Sequence, residues 1–179
     1  MPKSIRILIF SVILIFSIIL FPITSAHALT YPAEINQSFS PIAIVSGATS
    51  VLRISIYNPN VNQLTAASWS NDLQGVQPGL SITSPLHITN TCGGSVTAIG
   101  GGALAPGGTT IALSGGTVPP QVGDVPGSCY VEVDVTSTTP GNIINTIPAY
   151  GVAPSYNGVG LTATTLDSGT SVTIHNTTP

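Results

Sequence analysis

Apolar and polar residues alternate through much of the chain beyond residue 30. Leu52, Ile54 and Ile56 fall on one side of an extended segment, with Val51, Arg53, Ser55 and Tyr57 on the other. Cys129, Val131, Val133 and Val135 alternate in the same way with Tyr130, Glu132, Asp134 and Thr136. A period of two marks a strand with one buried and one wet face. Segments of similar composition predict further strands at 35–39, 65–70, 95–99, 109–113, 142–147 and 171–175, with a short one near 161–164. Turn chemistry separates them: Ser46-Gly47, Asn58-Pro59-Asn60, Pro78-Gly79, Gly93-Gly94, Pro106-Gly107-Gly108, Gly115-Gly116, Pro126-Gly127 and Pro140-Gly141. Proline presets the first corner of a turn and glycine permits positive φ at the next. No window after residue 28 has a 3.6-residue apolar rhythm of helical length. The pattern predicts an all-β fold, an immunoglobulin-like two-sheet sandwich of about 7–9 strands.

The N-terminus reads differently. Lys3 and Arg6 precede an apolar run over 7–21 that only Ser11 and Ser17 interrupt, and Pro22 ends it. The run is shorter than the roughly 20 residues a membrane-spanning helix needs. Ala26-His27-Ala28 places small residues where a signal peptidase reads them. The expectation is a signal peptide over 1–28 and one sandwich domain over 29–179, with an uncleaved anchor as the alternative. The 29–179 segment is long enough to bury well over half the surface of its unfolded chain.

Export changes the charge. Beyond residue 28 Arg53 is the one strong base against six acids (Glu34, Asp72, Asp124, Glu132, Asp134, Asp167), leaving five net negative charges. One cation cannot neutralise several phosphates, so nucleic acid is excluded as a partner, and so is electrostatic docking on anionic lipid. Solubility rests on Thr, Ser, Asn and Gly. Cys92 and Cys129 both survive cleavage, and an even count in an exported chain reads as a disulfide. Zinc asks for more ligands than two thiols and two distant histidines offer. The bridge would tie two strands, or a strand and a nearby loop, and its loop of about 38 residues is worth roughly 4 kcal/mol on the chain-entropy model.

Several fragments together resemble an Ig-like repeat of large prokaryotic surface proteins. They are Ser38-Phe39-Ser40-Pro41, the run from Leu52 to Asn60, Asn90-Thr91-Cys92-Gly93-Gly94, Leu113-Ser114-Gly115-Gly116, Gly127-Ser128-Cys129, Val133 to Gly141, and Asn145-Thr146-Ile147-Pro148. The chain is similar to a branch of that conserved-repeat superfamily known as a domain of unknown function. The resemblance implies a sandwich used as a stalk, spacer or adhesive unit outside the cell, and brings no catalytic residues. Residues 121–125 read as an insertion against the family pattern.

Catalytic inventory is thin. There is no G-x-S-x-G elbow, and His87 and His175 are the histidines left after residue 28, each without a neighbouring orienting group in sequence. A blue-copper site would want two His, a Cys and a weak Met, and the one methionine is Met1. Gly158-Val159-Gly160-Leu161-Thr162-Ala163 matches G-x-G-x-x-A but is followed by no helix pattern. The lone lysine, Lys3, precludes a Lys–Asn isopeptide cross-link after cleavage. Glu132 and Asp134 share a face, though calcium needs six to eight oxygens.

The expected function is a non-catalytic, secreted or cell-surface structural or adhesive module with no cofactor or metal, no membrane span after cleavage, and an unknown protein or glycan as partner. The alternative is a carbohydrate-binding module using exposed aromatics, for which Tyr57, Trp69 and Tyr130 are the candidate contacts. Parity turns Tyr57 and Tyr130 outward, whereas a tryptophan in such a fold is more often core than platform.

Overall fold

A computed structural model of the chain describes residues 31–75, 78–147, 155–156, 159–160 and 168–175. The expected signal segment over 1–28 and the short strand near 161–164 lie outside them.

Seven strands of seven or more residues form the frame: β1 (Glu34–Ser40), β3 (Thr49–Asn58), β4 (Leu64–Asp72), β8 (Thr110–Val118), β9 (Gly127–Thr136), β10 (Gly141–Ile147) and β13 (Ser168–His175). Six short ones complete the described elements: β2 (Ala43–Val45), β5 (Ser81–Ile82), β6 (Ile88–Asn90), β7 (Ser95–Thr97), β11 (Ser155–Tyr156) and β12 (Val159–Gly160). Among the described residues no helix is long and apolar enough to cross a membrane.

The front layer has the order β1-β3-β9, all antiparallel, with β5 and β6 both on the far side of β9. β5 and β6 are two pieces of one edge: Ile82 pairs with Val135 and Ile88 with Val133. The segment between them holds Pro85, which has no N–H to give a ladder, so a continuous strand was not legible there. The back layer is β12-β11-β4-β8-β7, beside a separate sheet β10-β13-β2 in which β2 runs parallel to β13.

Parity decides what each layer buries. Leu52, Ile54, Ile56, Val131, Val133 and Val135 point into one core, where they meet Trp69, Ile111, Leu113, Val118, Ile143, Ile147 and Ile174. The protein is an immunoglobulin-like sandwich of two layers, as the alternation predicts, with the back layer divided between two sheets.

Gly115-Gly116 is not a turn. β8 continues through it to Val118, and its register with β4 shifts between Leu64, Ala67 and Trp69. Ala66 at φ 55° and Gly115 at φ 69° mark facing irregularities that reset the parity of both strands, so that Leu64 and Trp69 are both buried. Gly116 is closely packed: a Cβ there would sit 2.9 Å from Leu113 Cδ2 and 3.2 Å from the Ala67 carbonyl, so both neighbours would have to shift.

The disulfide between Cys92 and Cys129 lies where the chain changes layers. β6 pairs with β9 in front, β7 pairs with β8 behind, and Cys92 sits on the crossover between them. Backbone bonds fix it on both sides: Thr91 N donates to the Tyr130 carbonyl at 2.9 Å and Thr117 N to the Cys92 carbonyl at 2.7 Å. Asn90 shapes the bend, accepting from Cys92 N at 2.9 Å and donating to the Gly93 carbonyl at 2.9 Å. Gly93 and Gly94 follow at φ 65° and 67°. Alanine at Gly93 meets open space, and the left-handed backbone alone predicts a cost of about 1–2 kcal/mol. Alanine at Gly94 adds a collision with the Ser114 carbonyl, so Gly94→Ala is expected to cost clearly more than Gly93→Ala in urea unfolding with the disulfide intact.

Buried amides bind the front layer to both parts of the back. Gln37 of β1 accepts through Oε1 from Asn71 Nδ2 of β4 at 3.2 Å and from Asn145 Nδ2 of β10 at 2.7 Å. β4 and β10 pack against each other without ladder pairing, and this side-chain link ties both strands to β1.

Candidate functional site

The outer face of the front sheet carries the side chains that alternate with the core rows. Across β3 and β9 the register sets Val51 opposite Asp134, Arg53 opposite Glu132, Ser55 opposite Tyr130 and Tyr57 opposite Ser128. β1 adds Ser38 opposite Arg53 and Ser40 opposite Val51. A shallow groove of about 400 Å³ runs between them, lined by Ser38, Ser40, Val51, Arg53 and Glu132.

Arg53 is held from two directions. Its Nε and Nη2 both donate to Glu132 Oε1 at 2.7 Å, and its guanidinium carbon lies 4.0 Å from the centre of the Tyr130 ring. The Arg53 and Glu132 side chains are 45% and 24% exposed. At that exposure the ion pair contributes at most about 1 kcal/mol to stability, and the ring contact about 0.5–1 kcal/mol. The arrangement therefore matters for where the arginine is held more than for folding. Cross-strand pairing produces it, since a residue on β3 reaches both its opposite partner and the diagonal one.

Tyr57 and Tyr130 are half-buried on this face, on diagonal positions of β3 and β9. Trp69 is elsewhere: it is 2% exposed, inside the sandwich, and its indole offers no platform to a ligand. Tyr57 and Tyr130 are the aromatic side chains this face presents among the described residues.

His87 sits at the sheet edge just before β6, its Nδ1 2.8 Å from Asp134 Oδ2. Its side chain is 65% exposed, so this is a solvated pair on the same face. Sequence gave no sign of it, because the partners are 47 residues apart and meet only through the β6–β9 pairing. His175 ends β13, level with Val45 of β2, in a different sheet. The fold thus does not assemble the two histidines into one site. Glu132 and Asp134 each face a cationic or imidazole partner, and among the described residues no three His, Cys, Asp or Glu lie close enough to hold a metal ion.

Residues 121–125, read as an insertion, form a loop tip closed by a bridge between Val122 and Val125. Both valines are exposed, at 77% and 70%. The tip is anchored through Gln121 N, which donates to the Asn60 carbonyl at 2.8 Å.

The family model called Domain of unknown function (DUF7933) matches residues 33–166. The chain belongs to that family. No curated protein matches this DUF7933 chain in sequence. Among solved structures, the major pilin subunit BcpA of Bacillus cereus superposes with a TM-score of 0.45 at 11% identity, over 79% of this chain and 39% of the pilin. The chain thus spans about two-fifths of that subunit's length. A Coh-OlpA–Doc918 cohesin–dockerin structure from Clostridium thermocellum gives 0.47 at 13% identity, over 81% of this chain and 100% of the other. The C-terminal domain of AspA, an antigen I/II-family protein of Streptococcus pyogenes, gives 0.38 at 16% identity, over 83% and 47%.

Proposed function

We propose that this DUF7933 chain is a non-catalytic extracellular structural or adhesive module of a prokaryotic surface or secreted protein, exported with loss of residues 1–28. It meets a protein or glycan partner through the outer face of the β1-β3-β9 sheet. One observation carries this reading: Arg53, the only strong base after residue 28, stands on that face already held by Glu132 and Tyr130. A planar guanidinium fixed before contact has less freedom to lose on binding, and arginine and tyrosine are the residues that most often anchor interfaces. Nearly half of the arginine side chain remains open to a partner.

The test compares wild-type protein with Arg53→Ala and Tyr130→Ala, coated on beads and presented to cell surfaces and extracellular proteins. Both variants are expected to lose binding while remaining folded, with a loss of stability of no more than about 2 kcal/mol from the ion pair and the ring contact together. Equal binding by wild type and both variants rejects this face.

Carbohydrate binding is the second reading, and the diagonal pair Tyr57 and Tyr130 on the open face favours it. Saturable binding to a defined sugar on a glycan array, abolished by Tyr57→Ala or Tyr130→Ala in a folded protein, decides for it. Reproducible turnover that disappears with His87→Ala or His175→Ala defeats both readings.

A further inference from the structure

The chain contains two Asn-x-Ser/Thr strings without an intervening proline, Asn36-Gln37-Ser38 and Asn176-Thr177-Thr178. Such a string is an acceptor for N-linked glycan in an exported protein. It arises often by chance in a chain this rich in serine and threonine, so the string alone has little weight. Asn36 has more. Glu34 stands two residues before it, giving Glu34-Ile35-Asn36-Gln37-Ser38, whereas Ile174 holds that place before Asn176. Acids are scarce here, six in the whole sequence, and one of them falls two residues before the acceptor, where it can pair with a cationic group of a transferase.

We infer that Asn36 is an N-glycosylation site. β1 alternates strictly: Glu34, Asn36 and Ser38 are exposed, while Gln37 and Phe39 are 5% and 4% exposed on the core side. Carboxylate, acceptor amide and hydroxyl therefore share one outward row on the strand that ends the front sheet. On the export reading the chain crosses the membrane before it folds, and residues 34–38 emerge soon after the signal segment, so a transferase meets them as an extended peptide. Folding then turns the modified side chain to solvent without displacing any core residue. The glycan emerges beside Ser55, its register partner, with Arg53 and Tyr57 on the two diagonals, so it borders the face proposed above and a partner there meets it as well. A neutral saccharide there adds solubility to a surface with few charges.

The reaction joins Asn36 Nδ2 to the anomeric carbon of an oligosaccharide carried on a polyprenyl diphosphate. The N–C bond forms, and the bond from that carbon to the phosphate oxygen breaks. The lipid diphosphate leaves with the bonding electrons, and one amide proton passes to a base of the oligosaccharyltransferase. Transferase and lipid-linked glycan both come from the exporting cell.

The inference rests on export, and the experiment separates the two. Full-length wild type, Asn36→Gln, Ser38→Ala, Ser38→Thr and Glu34→Gln chains are expressed in the cells that naturally secrete the protein, and intact masses and proteolytic peptides are read by mass spectrometry. The expected result is a glycan increment on the peptide holding Asn36 in wild type and Ser38→Thr, its loss in Asn36→Gln and Ser38→Ala, and lower occupancy in Glu34→Gln. All five are expected to carry the Cys92–Cys129 bridge and to melt together once deglycosylated, because the three positions are exposed. Exported protein with bare Asn36, or an increment that survives Ser38→Ala, overturns the inference alone. Protein that stays in the cytoplasm overturns the export reading and this inference together.

Discussion

Cys92→Ser is expected to destabilise the domain by about 2–5 kcal/mol, a large part of the 5–15 kcal/mol that holds a typical domain folded. The loop that the bridge closes separates its cysteines by 37 positions. On the chain-entropy model that closure is worth about 4 kcal/mol. Its position increases the consequence. Cys92 lies on the crossover from the front layer to the back, and Cys129 opens the inward row of β9. Without the bond, the crossover is left with its backbone contacts to Tyr130 and Thr117, the Thr91 hydroxyl's bonds to the Tyr130 backbone and the Asn90 turn. The cysteines are 2% and 3% exposed, so the variant also leaves a hydroxyl and a thiol in the core. Urea unfolding of wild type, Cys92→Ser and Cys92→Ala/Cys129→Ala tests this. The double alanine variant removes both polar remnants and is expected to lose less than the serine. Wild type in reductant is expected to keep its bridge until it unfolds, because the buried sulfurs are closed to an attacking thiolate. A serine variant with an unchanged midpoint would show that the crossover holds itself.

Asn58→Ala is expected to cost about 2–4 kcal/mol, from several buried hydrogen bonds lost at once. Asn58 is fully buried at the end of β3. Its Nδ2 donates to the carbonyls of Asn62 and Pro119, both at 2.8 Å, and its Oδ1 accepts from Asn60 N at 3.0 Å and Asn60 Nδ2 at 2.9 Å. Asn60 carries the link onward, exchanging bonds with Tyr31 at 2.7 and 2.8 Å. One side chain thus orders the β3–β4 loop, the segment before β9 and the chain at Tyr31 ahead of β1. Asn58→Asp is expected to be worse than alanine: it removes both donors, faces two carbonyl oxygens and buries a charge. Asn142→Ala, at an exposed position of β10, is the control and is expected to stay within about 0.5 kcal/mol. Thermal and urea unfolding read all three, and an Asn58→Ala midpoint matching the Asn142→Ala midpoint would defeat the argument.

The sequence alone determined the long strands and their faces, because side-chain direction in a strand has a period of two and needs no partner to define it. Leu52, Ile54, Ile56 and the Val131–Val133–Val135 row were legible as core, and Arg53, Tyr57, Tyr130 and Glu132 as surface. The disulfide was legible from the cysteine count together with the expected export. The all-β class followed from turn chemistry between alternating runs. Gly115-Gly116 misled, since glycine permits positive φ equally in a turn and in a bulge; only the facing irregularity at Ala66 shows which it is. β5 and β6 were short, and what makes them strands is the neighbour both pair with, β9, whereas β7 falls inside the predicted 95–99 segment. Trp69 went inside because the bulge reset its parity. Arg53 was predictable as exposed, but its hold by Glu132 and Tyr130 depends on the β3–β9 register, 79 residues apart in sequence at the ion pair. His87 and Asp134, and the Gln37–Asn71–Asn145 link, likewise join strands distant in sequence. Local alternation fixes which way a side chain points, while strand order and register fix what it meets, and these are settled only when the two layers close on a common core.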